Sequence, residues 1–80
     1  MSAAKIHHLD VRGMEPPEPL EKVLDALDSL APGERLCMLI EREPRPLYRI
    51  LLDNGYAYRT DGGCGLPYQV TIWHAPALDD

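Results

Sequence analysis

The amino-acid sequence predicts one α+β domain, a two-layer α/β sandwich of order β-α-β-α-β-β. In it, both helices cover one face of a mixed four-stranded sheet. Two observations carry this prediction. An apolar stripe of helical spacing runs through residues 20–30, and apolar and polar side chains alternate through residues 66–74. Glycine and proline separate the apolar segments, so we expect short elements around one modest core.

The first two elements are a short strand and the clearest helix. Residues 6–11 form the strand, which ends at Arg12-Gly13. The proline-rich segment 14–19 opens the helix, since the N–H groups of a first turn have no partner within the helix. The residues of the helical stripe are Leu20, Val23, Leu24, Leu27 and Leu30. Residues 31–33 (Ala-Pro-Gly) end the helix.

The middle of the chain predicts a central strand and a second helix. Residues 35–40 are apolar on both faces, which indicates a strand with neighbours on both sides. We expect the second helix over residues 45–54, with Gly55 as its left-handed C-terminal cap. The apolar face of this helix carries Leu47, Ile50 and Leu51.

A hairpin closes the predicted sheet. Its strands are residues 56–60 and 66–74, and a glycine-rich turn or short loop joins them over residues 61–65. Alternation places Cys37, Leu39 and Trp73 on the open sheet face, opposite the helices. An apolar cluster there would form a partner surface, and scattered exposed apolar residues are the alternative.

Three segments resemble the TusA/SirA-like family of sulfur carriers. Residues 9–20 are similar to its signature, a Leu-Asp strand, a glycine and Cys-Pro-x-Pro at the start of helix one. Residues 30–34 resemble its Pro-Gly-Glu turn, and residues 60–68 resemble its final hairpin. The resemblance implies a single TusA-like domain over residues 1–80 with an ordered core of about residues 6–74. It also implies a bacterial protein near sulfur or redox metabolism.

The sequence departs from that family at Pro16. Sulfur carriers have at this position the cysteine that takes up a persulfide, and proline has no nucleophile. Pro17 and Pro19 match the two prolines of the family. Residues 43–48 (EPRPLY) are similar to a segment of its cysteine-less, uncharacterised branch, in which a histidine sometimes precedes the motif. Here that position holds Arg42.

The leading hypothesis is a noncatalytic protein-interaction or regulatory domain, with no enzymatic activity and no cofactor. The candidate binding residues are Arg12, Pro16, Pro17, Glu18, Pro19, Arg42, Arg45 and Arg49. Positive charge at a helix start opposes the helix dipole, so Arg45 favours an acidic partner or a small-anion-binding domain. The alternative is a solvated pair of arginines balanced by Glu41 and Glu43.

Cys64 supports another function, a persulfide carrier with a relocated thiol. It lies in a glycine-rich segment, but neither Lys nor His adjoins it to lower the pKa of its thiol, and the alternative is an incidental loop cysteine. Cys37 is expected to be a packing residue. We expect no metal site, because His7 and His8 point to opposite faces of their strand and the ligand spacing is missing.

Charge and hydropathy limit which partners and which cellular location we expect. The formal net charge of −5 opposes nonspecific binding to nucleic acid. No apolar run reaches the length of a membrane span, and no charged-then-apolar leader opens the sequence. We therefore expect a soluble cytoplasmic protein with a protein partner, and a homodimer through the open sheet face is a further expectation.

Overall fold

A computed structural model describes residues 5–15, 17–63 and 65–75. The chain forms six elements in the predicted order β-α-β-α-β-β. They are β1 (Ile6–Asp10), α1 (Glu18–Asp28), β2 (Arg35–Ile40), α2 (Arg45–Asp53), β3 (Tyr56–Gly63) and β4 (Leu66–His74). Among the described residues, neither helix has the length and apolar character needed to cross a lipid bilayer.

The four strands form one open, mixed sheet in the order β1-β2-β4-β3. β1 is parallel to β2, and β4 is antiparallel to both of its neighbours, β2 and β3. The last strand in sequence therefore lies between two earlier ones, and β2 and β4 are the central strands. The predicted α+β class, the mixed sheet and the central position of β2 are confirmed.

One side of the central strands contributes to the core. Met38 pairs with Val70 and Leu36 pairs with Ile72, and these four side chains are at most 1% exposed. The helices and flanking segments add Val11, Val23, Leu27, Leu30, Leu47 and Leu51 to the same cluster. The buried side chains of both helices and of this side of the sheet thus form one core, whose burial is the main stabilising term of the fold.

The predicted stripe of α1 is wrong at Leu24, which is 36% exposed. Val23 and Leu27 are the buried residues of the helix, and Leu24 lies about 100° around the axis from Val23, at the flank of the buried face. Leu30 is buried, although the helix already ends at Asp28.

The predicted turn at residues 61–65 is partly wrong, because β3 continues through Gly63. Gly63 pairs with Leu66 after a register shift between Asp61 and Gly63. Gly62 and Gly63 have φ angles of 92° and 89°, which glycine adopts without strain. A Cβ atom at Gly62 would overlap the carbonyl oxygen of Pro67, so this bulge needs glycine. The predicted hairpin itself is confirmed.

The register confirms that Cys37, Leu39 and Trp73 lie opposite the core. All three are half-buried, and the Arg35 guanidinium stacks on the Trp73 ring at 4.4 Å from its centroid. This cation–π contact covers part of the largest side chain of the open sheet face. The homodimer expected there stays a prediction.

Side chains from the sheet form hydrogen bonds with one carbonyl group in the last turn of α1 and with one just after the helix. His74 Nε2 donates a hydrogen bond to the Leu30 carbonyl at 2.8 Å, and the Tyr56 hydroxyl donates to the Leu27 carbonyl at 3.4 Å. The Leu27 carbonyl also accepts the Leu30 N–H at 3.0 Å, so both carbonyl groups have protein partners where the helix itself offers none. We call this region, which comprises residues 27–34 with Tyr56 and His74, the capped end.

Glu34 fixes the turn of the capped end. Its Oε1 atom accepts a hydrogen bond from the Ala31 N–H at 2.9 Å and lies 3.1 Å from His7 Nε2. The Ala31 N–H is the main cause that lowers the pKa of Glu34. Desolvation opposes this effect, and His7 adds to it. The side chain therefore joins the turn before β2 to β1.

Candidate functional site

The predicted binding segments meet at the opposite end of the molecule. Because β1 and β2 are parallel, their carboxyl ends lie together, and α1 and α2 start just beyond them. Ile40 at the end of β2 pairs with Tyr68, so the β3–β4 turn lies at this end too. We call this region, residues 10–20, 40–47 and 61–68, the cavity end.

Prolines and local hydrogen bonds shape the start of α1. Pro17 is the N-cap residue, and Pro19 stands in the first turn. The Glu18 N–H donates to the Glu15 carbonyl at 2.9 Å, and the Glu21 N–H donates to the Pro17 carbonyl at 3.1 Å. The negative charges of Glu18 and Glu21 favour the helix dipole at this end.

The start of α2 has few N–H groups available to a ligand. The Arg45 N–H donates to the Glu43 carbonyl at 2.9 Å, and the Leu47 N–H donates to the Pro44 carbonyl at 3.0 Å. Between them, Pro46 has no N–H. An anion would find no free donor among these first three helical residues, so this geometry does not favour the small-anion alternative.

A cavity of about 560 Å³ lies between the starts of the two helices. Met38 and Ile40 line it from β2, Leu20 from α1 and Leu47 from α2. The other lining residues are Gly13, Met14, Glu15, Pro17, Pro19, Val23, Glu41, Arg42, Pro44 and Pro46. The volume falls within the range of roughly 300–1,000 Å³ that is typical of small-molecule sites, which are mainly apolar with a few polar groups.

Three charged side chains line this cavity. Glu41 Oε1 accepts a hydrogen bond from the Gly13 N–H at 2.7 Å, which ties the loop before α1 to the end of β2. Glu15 and Arg42 are exposed. Within residues 5–15, 17–63 and 65–75, no ion pair joins either of them to another side chain.

Arg12 is engaged in a different way. Its Nε and Nη2 atoms donate to the two carboxylate oxygens of Asp10 at 2.9 and 2.7 Å, and its backbone N–H donates to the same carboxylate at 3.0 Å. These side-chain and then backbone hydrogen bonds lower the pKa of Asp10 to about 2. The pair also raises the pKa of Arg12. The Arg12 guanidinium therefore stabilises the turn that follows β1 through its hydrogen bonds with Asp10.

A second cavity, of about 510 Å³, adjoins the first one at Glu41. Arg12 lines it together with Gly63, Gly65 and the 68%-exposed Leu66 of the β3–β4 turn. Cys64 itself lies outside the described residues, but its two sequence neighbours border this space.

The structure brings together some of the predicted binding residues. Pro17, Pro19 and Arg42 line the larger cavity, and Arg12 lines the smaller one. Of the remaining described candidates, Glu18 and Arg45 are exposed within the cavity end and line neither cavity, and Arg49 is exposed on α2. The Arg45 side chain is 83% exposed and contacts Glu43 Oε1 through Nε at 3.2 Å. Pro16 lies outside the described residues.

Sequence reasoning did not identify Met14, Ile40 and Glu41 as part of the site. Ile40 shares the alternation of Leu36 and Met38, so its side of the sheet could have been predicted from strand periodicity. Met14 and Glu41 gave no such signal, since only the folded chain brings the ends of β1 and β2 together.

Tyr48 anchors α2 to the sheet behind the site. Its hydroxyl forms a hydrogen bond with Thr60 Oγ1 at 2.8 Å and donates to Glu43 Oε2 at 3.2 Å. Its ring stacks on Tyr58 with centroids 4.4 Å apart. Burial is the main cause that raises the pKa of Tyr48. These contacts hold Glu43 and the start of α2 in place.

The three histidines serve separate parts of the fold. His7 contacts Glu34, His74 donates to Leu30, and His8 is exposed on β1. Within the part of the chain that the structure describes, no group of three or more His, Cys, Asp or Glu side chains is placed to hold a metal ion.

Comparison with known proteins identifies a family. Residues 8–74 match the family described as Uncharacterized conserved protein (DUF2249), which covers most of the chain and all six elements except the first two residues of β1. The chain belongs to this family. Searches of curated proteins and of solved structures found no match. The expected membership of an uncharacterised family is confirmed, and kinship with TusA-like sulfur carriers stays a proposal.

Proposed function

We propose that this chain is a noncatalytic protein-interaction or regulatory domain whose recognition surface is the larger cavity. The observation that carries the proposal is the joining of two distant segments, around Pro17 and Pro44, into one apolar concave site. Concave apolar surface that is open to solvent is typical of binding sites, because its burial by a partner is favourable.

The four prolines of the lining support this function. Pro17, Pro19, Pro44 and Pro46 present apolar rings and no N–H groups, and their φ angles are already fixed. A rigid site loses little conformational freedom when a partner binds, so more of the interaction energy appears as affinity. The proline segments are therefore better suited to apolar contact than to binding an anion through backbone N–H groups.

The arginines at the start of α2 support an acidic partner. Residues 41–49 carry three arginines and two glutamates in a chain whose net charge is −5. Arg45 and Arg49 share a face of α2 at i, i+4 spacing, and Pro46 and Leu47 of the same helix line the cavity. This local excess of positive charge would attract acidic residues around the apolar anchor of a partner.

The proposed scaffold is TusA-like, on the strength of residues 9–20, 30–34 and 60–68. Under that kinship, the recognition surface includes the helix start at which sulfur carriers have their cysteine. A bacterial, cytoplasmic partner connected with sulfur or redox metabolism is the corresponding proposal.

Site-specific photo-crosslinking tests the interaction. Benzoylphenylalanine replaces Met14 in the cavity in one variant and Leu52, which is 62% exposed on α2 outside the cavity, in the control. A protein captured only from Met14 is then purified and titrated calorimetrically against wild type, Arg42→Glu and Leu52→Glu. We expect Arg42→Glu to weaken binding about tenfold or more and Leu52→Glu to leave it unchanged. Equal capture from both positions, or no binding by the purified protein, contradicts the proposal.

A persulfide carrier that uses Cys64 is a second candidate, supported by the position of Gly63 and Gly65 at the smaller cavity. A cysteine desulfurase persulfide would transfer its outer sulfur to the Cys64 thiolate, which becomes a persulfide as the desulfurase thiol is released. Intact mass is measured after incubation with the desulfurase and cysteine, for wild type, Cys64→Ser and Cys37→Ser. A gain of one sulfur that only Cys64→Ser loses establishes the carrier. No gain in any sample rules it out.

A further inference from the structure

We propose that the larger cavity binds a small amphiphilic acid, whose apolar body lies between α1 and α2 and whose carboxylate contacts Arg42. The inference rests on the proposed function in one respect, since it uses the same cavity as the recognition surface. It adds the chemical class of a ligand, which would occupy the site that the protein partner needs and so regulate the interaction.

The apolar body follows from the lining of the cavity. Leu20, Met38, Ile40 and Leu47 surround its inner part together with the proline rings, and its volume of about 560 Å³ exceeds what one side chain fills. A flexible acyl or aryl group would bury its surface there without requiring hydrogen bonds. Each fully buried methylene group is expected to strengthen binding by about fourfold at most.

The acidic head group follows from a comparison of the arginines. Three arginines each form an ion pair with an acidic residue two positions away: Arg12 with Asp10, Arg45 with Glu43 and Arg59 with Asp61. A fourth, Arg35, stacks on the Trp73 ring. In the described ranges, Arg42 and Arg49 have no such partner, and of these two only Arg42 lines the cavity. A guanidinium beside an apolar cavity offers a planar, bidentate site for a carboxylate.

The cavity is also lined by two carboxylates, Glu15 and Glu41, which could bind a cationic ligand instead. Glu41 Oε1 accepts the Gly13 N–H at 2.7 Å, whereas the Glu15 side chain has no hydrogen bond within the described residues, so Glu15 is the stronger candidate to bind a cation. Arg42 belongs to segment 41–49, which carries three arginines and two glutamates. Glu15 precedes Glu18, whose negative charge interacts favourably with the dipole at the start of α1. An apolar amine that contacts Glu15 is therefore the alternative that the experiment must distinguish.

The test compares three eight-carbon probes at neutral pH: octanoate and octylamine below their micelle-forming concentrations, and octan-1-ol below its solubility limit. Binding to the full chain is measured calorimetrically and by ¹H–¹⁵N NMR titration. Arg42→Gln removes the proposed contact, and Arg49→Gln is the matched control, since Arg49 is exposed on α2 and does not line the cavity. Hexanoate reports the effect of chain length.

The expected result has three parts. Octanoate shifts the amide signals of Leu20, Ile40 and Leu47 and binds more tightly than octylamine and hexanoate. Arg42→Gln weakens octanoate about five- to tenfold but leaves octan-1-ol unchanged. Arg49→Gln changes neither affinity.

Three results would overturn the inference: no saturable octanoate binding, equal octanoate affinity in Arg42→Gln, or tighter binding of octylamine. Each of them is independent of the crosslinking result, because a partner captured from Met14 that loses affinity in Arg42→Glu would keep the interaction function. Octanoate binding without any such partner would instead support the ligand and contradict the interaction.

Discussion

The two ends of this small domain differ in what their polar side chains contact. At the capped end, His74, Tyr56 and Glu34 use their polar atoms to satisfy the backbone of α1 and the turn that follows it. At the cavity end, prolines replace many backbone donors, and Arg42 and Glu15 face the solvent beside an apolar hollow.

The difference shows where polar side chains serve stability and where they remain available for binding. A side chain that satisfies a helix carbonyl contributes to the folded state, and its loss is costly. A charged side chain with solvent as its main neighbour contributes little to folding, so Arg42 and Glu15 should be replaceable with little loss of stability. Substitutions at the capped end should therefore lower stability, whereas substitutions of exposed charges at the cavity end should change binding.

The largest effect is expected in the hairpin of the cavity end. Gly62→Ala places a Cβ atom against the Pro67 carbonyl oxygen at a φ angle of 92°, and we expect a loss of about 3 kcal/mol in the free energy of unfolding. Gly65→Ala is the control, since its φ is 87° but no other described residue beyond its chain neighbours lies within 4 Å of the added atom, and about 1 kcal/mol is expected. Equal losses in urea denaturation would contradict the steric argument.

The next effect belongs to the capped end. His74→Ala removes the donor to the Leu30 carbonyl and the contact with the Tyr56 ring, whose centroid is 4.9 Å from that of His74. We expect a loss of about 1–2 kcal/mol in the free energy of unfolding. His8→Ala, at an exposed position on β1, should change it by less than about 0.5 kcal/mol. A His8→Ala loss as large as that of His74→Ala would remove the distinction.

A smaller effect on the free energy of unfolding depends on pH, and we expect it at both ends of the domain. The pKa of Asp10 is lowered to about 2 in the folded chain, so its contribution is present above its ordinary pKa of 3.8 and is lost as the pH falls toward 2. We expect Asp10→Asn to be less stable than wild type at pH 6, with the difference disappearing near pH 2.

The capped end supplies the comparison for this titration. The lowered pKa of Glu34 has the same sign, so Glu34→Gln should also differ from wild type at pH 6 and converge with it on acidification. Urea denaturation at several pH values measures both. A constant difference between Asp10→Asn and wild type across that range would show that the Arg12 pair does not determine the pH dependence.

The smallest effect on stability is expected at Arg42. Arg42→Gln removes an exposed charge that has no ion pair in the described chain, so the free energy of unfolding should change by less than about 0.5 kcal/mol. The same variant should lose octanoate affinity. A large loss of stability would place Arg42 among the structural residues and remove it from the site.

Local pattern was sufficient to predict most of the fold, and tertiary contacts explain the rest. The order of elements, the central β2 and the core positions Met38, Val70 and Ile72 follow from periodicity, because each strand has to bury one side. The position of β4 between β2 and β3 has no local signal. The bulge at Gly62 and the exposure of Leu24 depend on how neighbouring elements pack.

The candidate site was predicted only in pieces. Pro17, Pro19 and Arg42 were identified from two separate segments, but the cavity between them arises from the parallel pairing of β1 and β2. Among the described residues Arg45 forms an ion pair and Arg42 does not, and this difference cannot be deduced from the sequence, where both have glutamates nearby. The direction of each arginine side chain in the folded chain determines whether it reaches a glutamate, as Arg45 reaches Glu43.

The insertion of β4 between β2 and β3 also has a consequence for synthesis on the ribosome. The nascent chain can assemble β1, α1 and β2 early, but β3 then emerges without a neighbour, because its pairing partner is still to be translated. Val70 and Ile72, at the centre of the core, reach it only with the strand that emerges after the other five elements. Folding of this domain therefore waits for residues 66–74, and until then the edges of β2 and β3 are open to chaperones or to other chains.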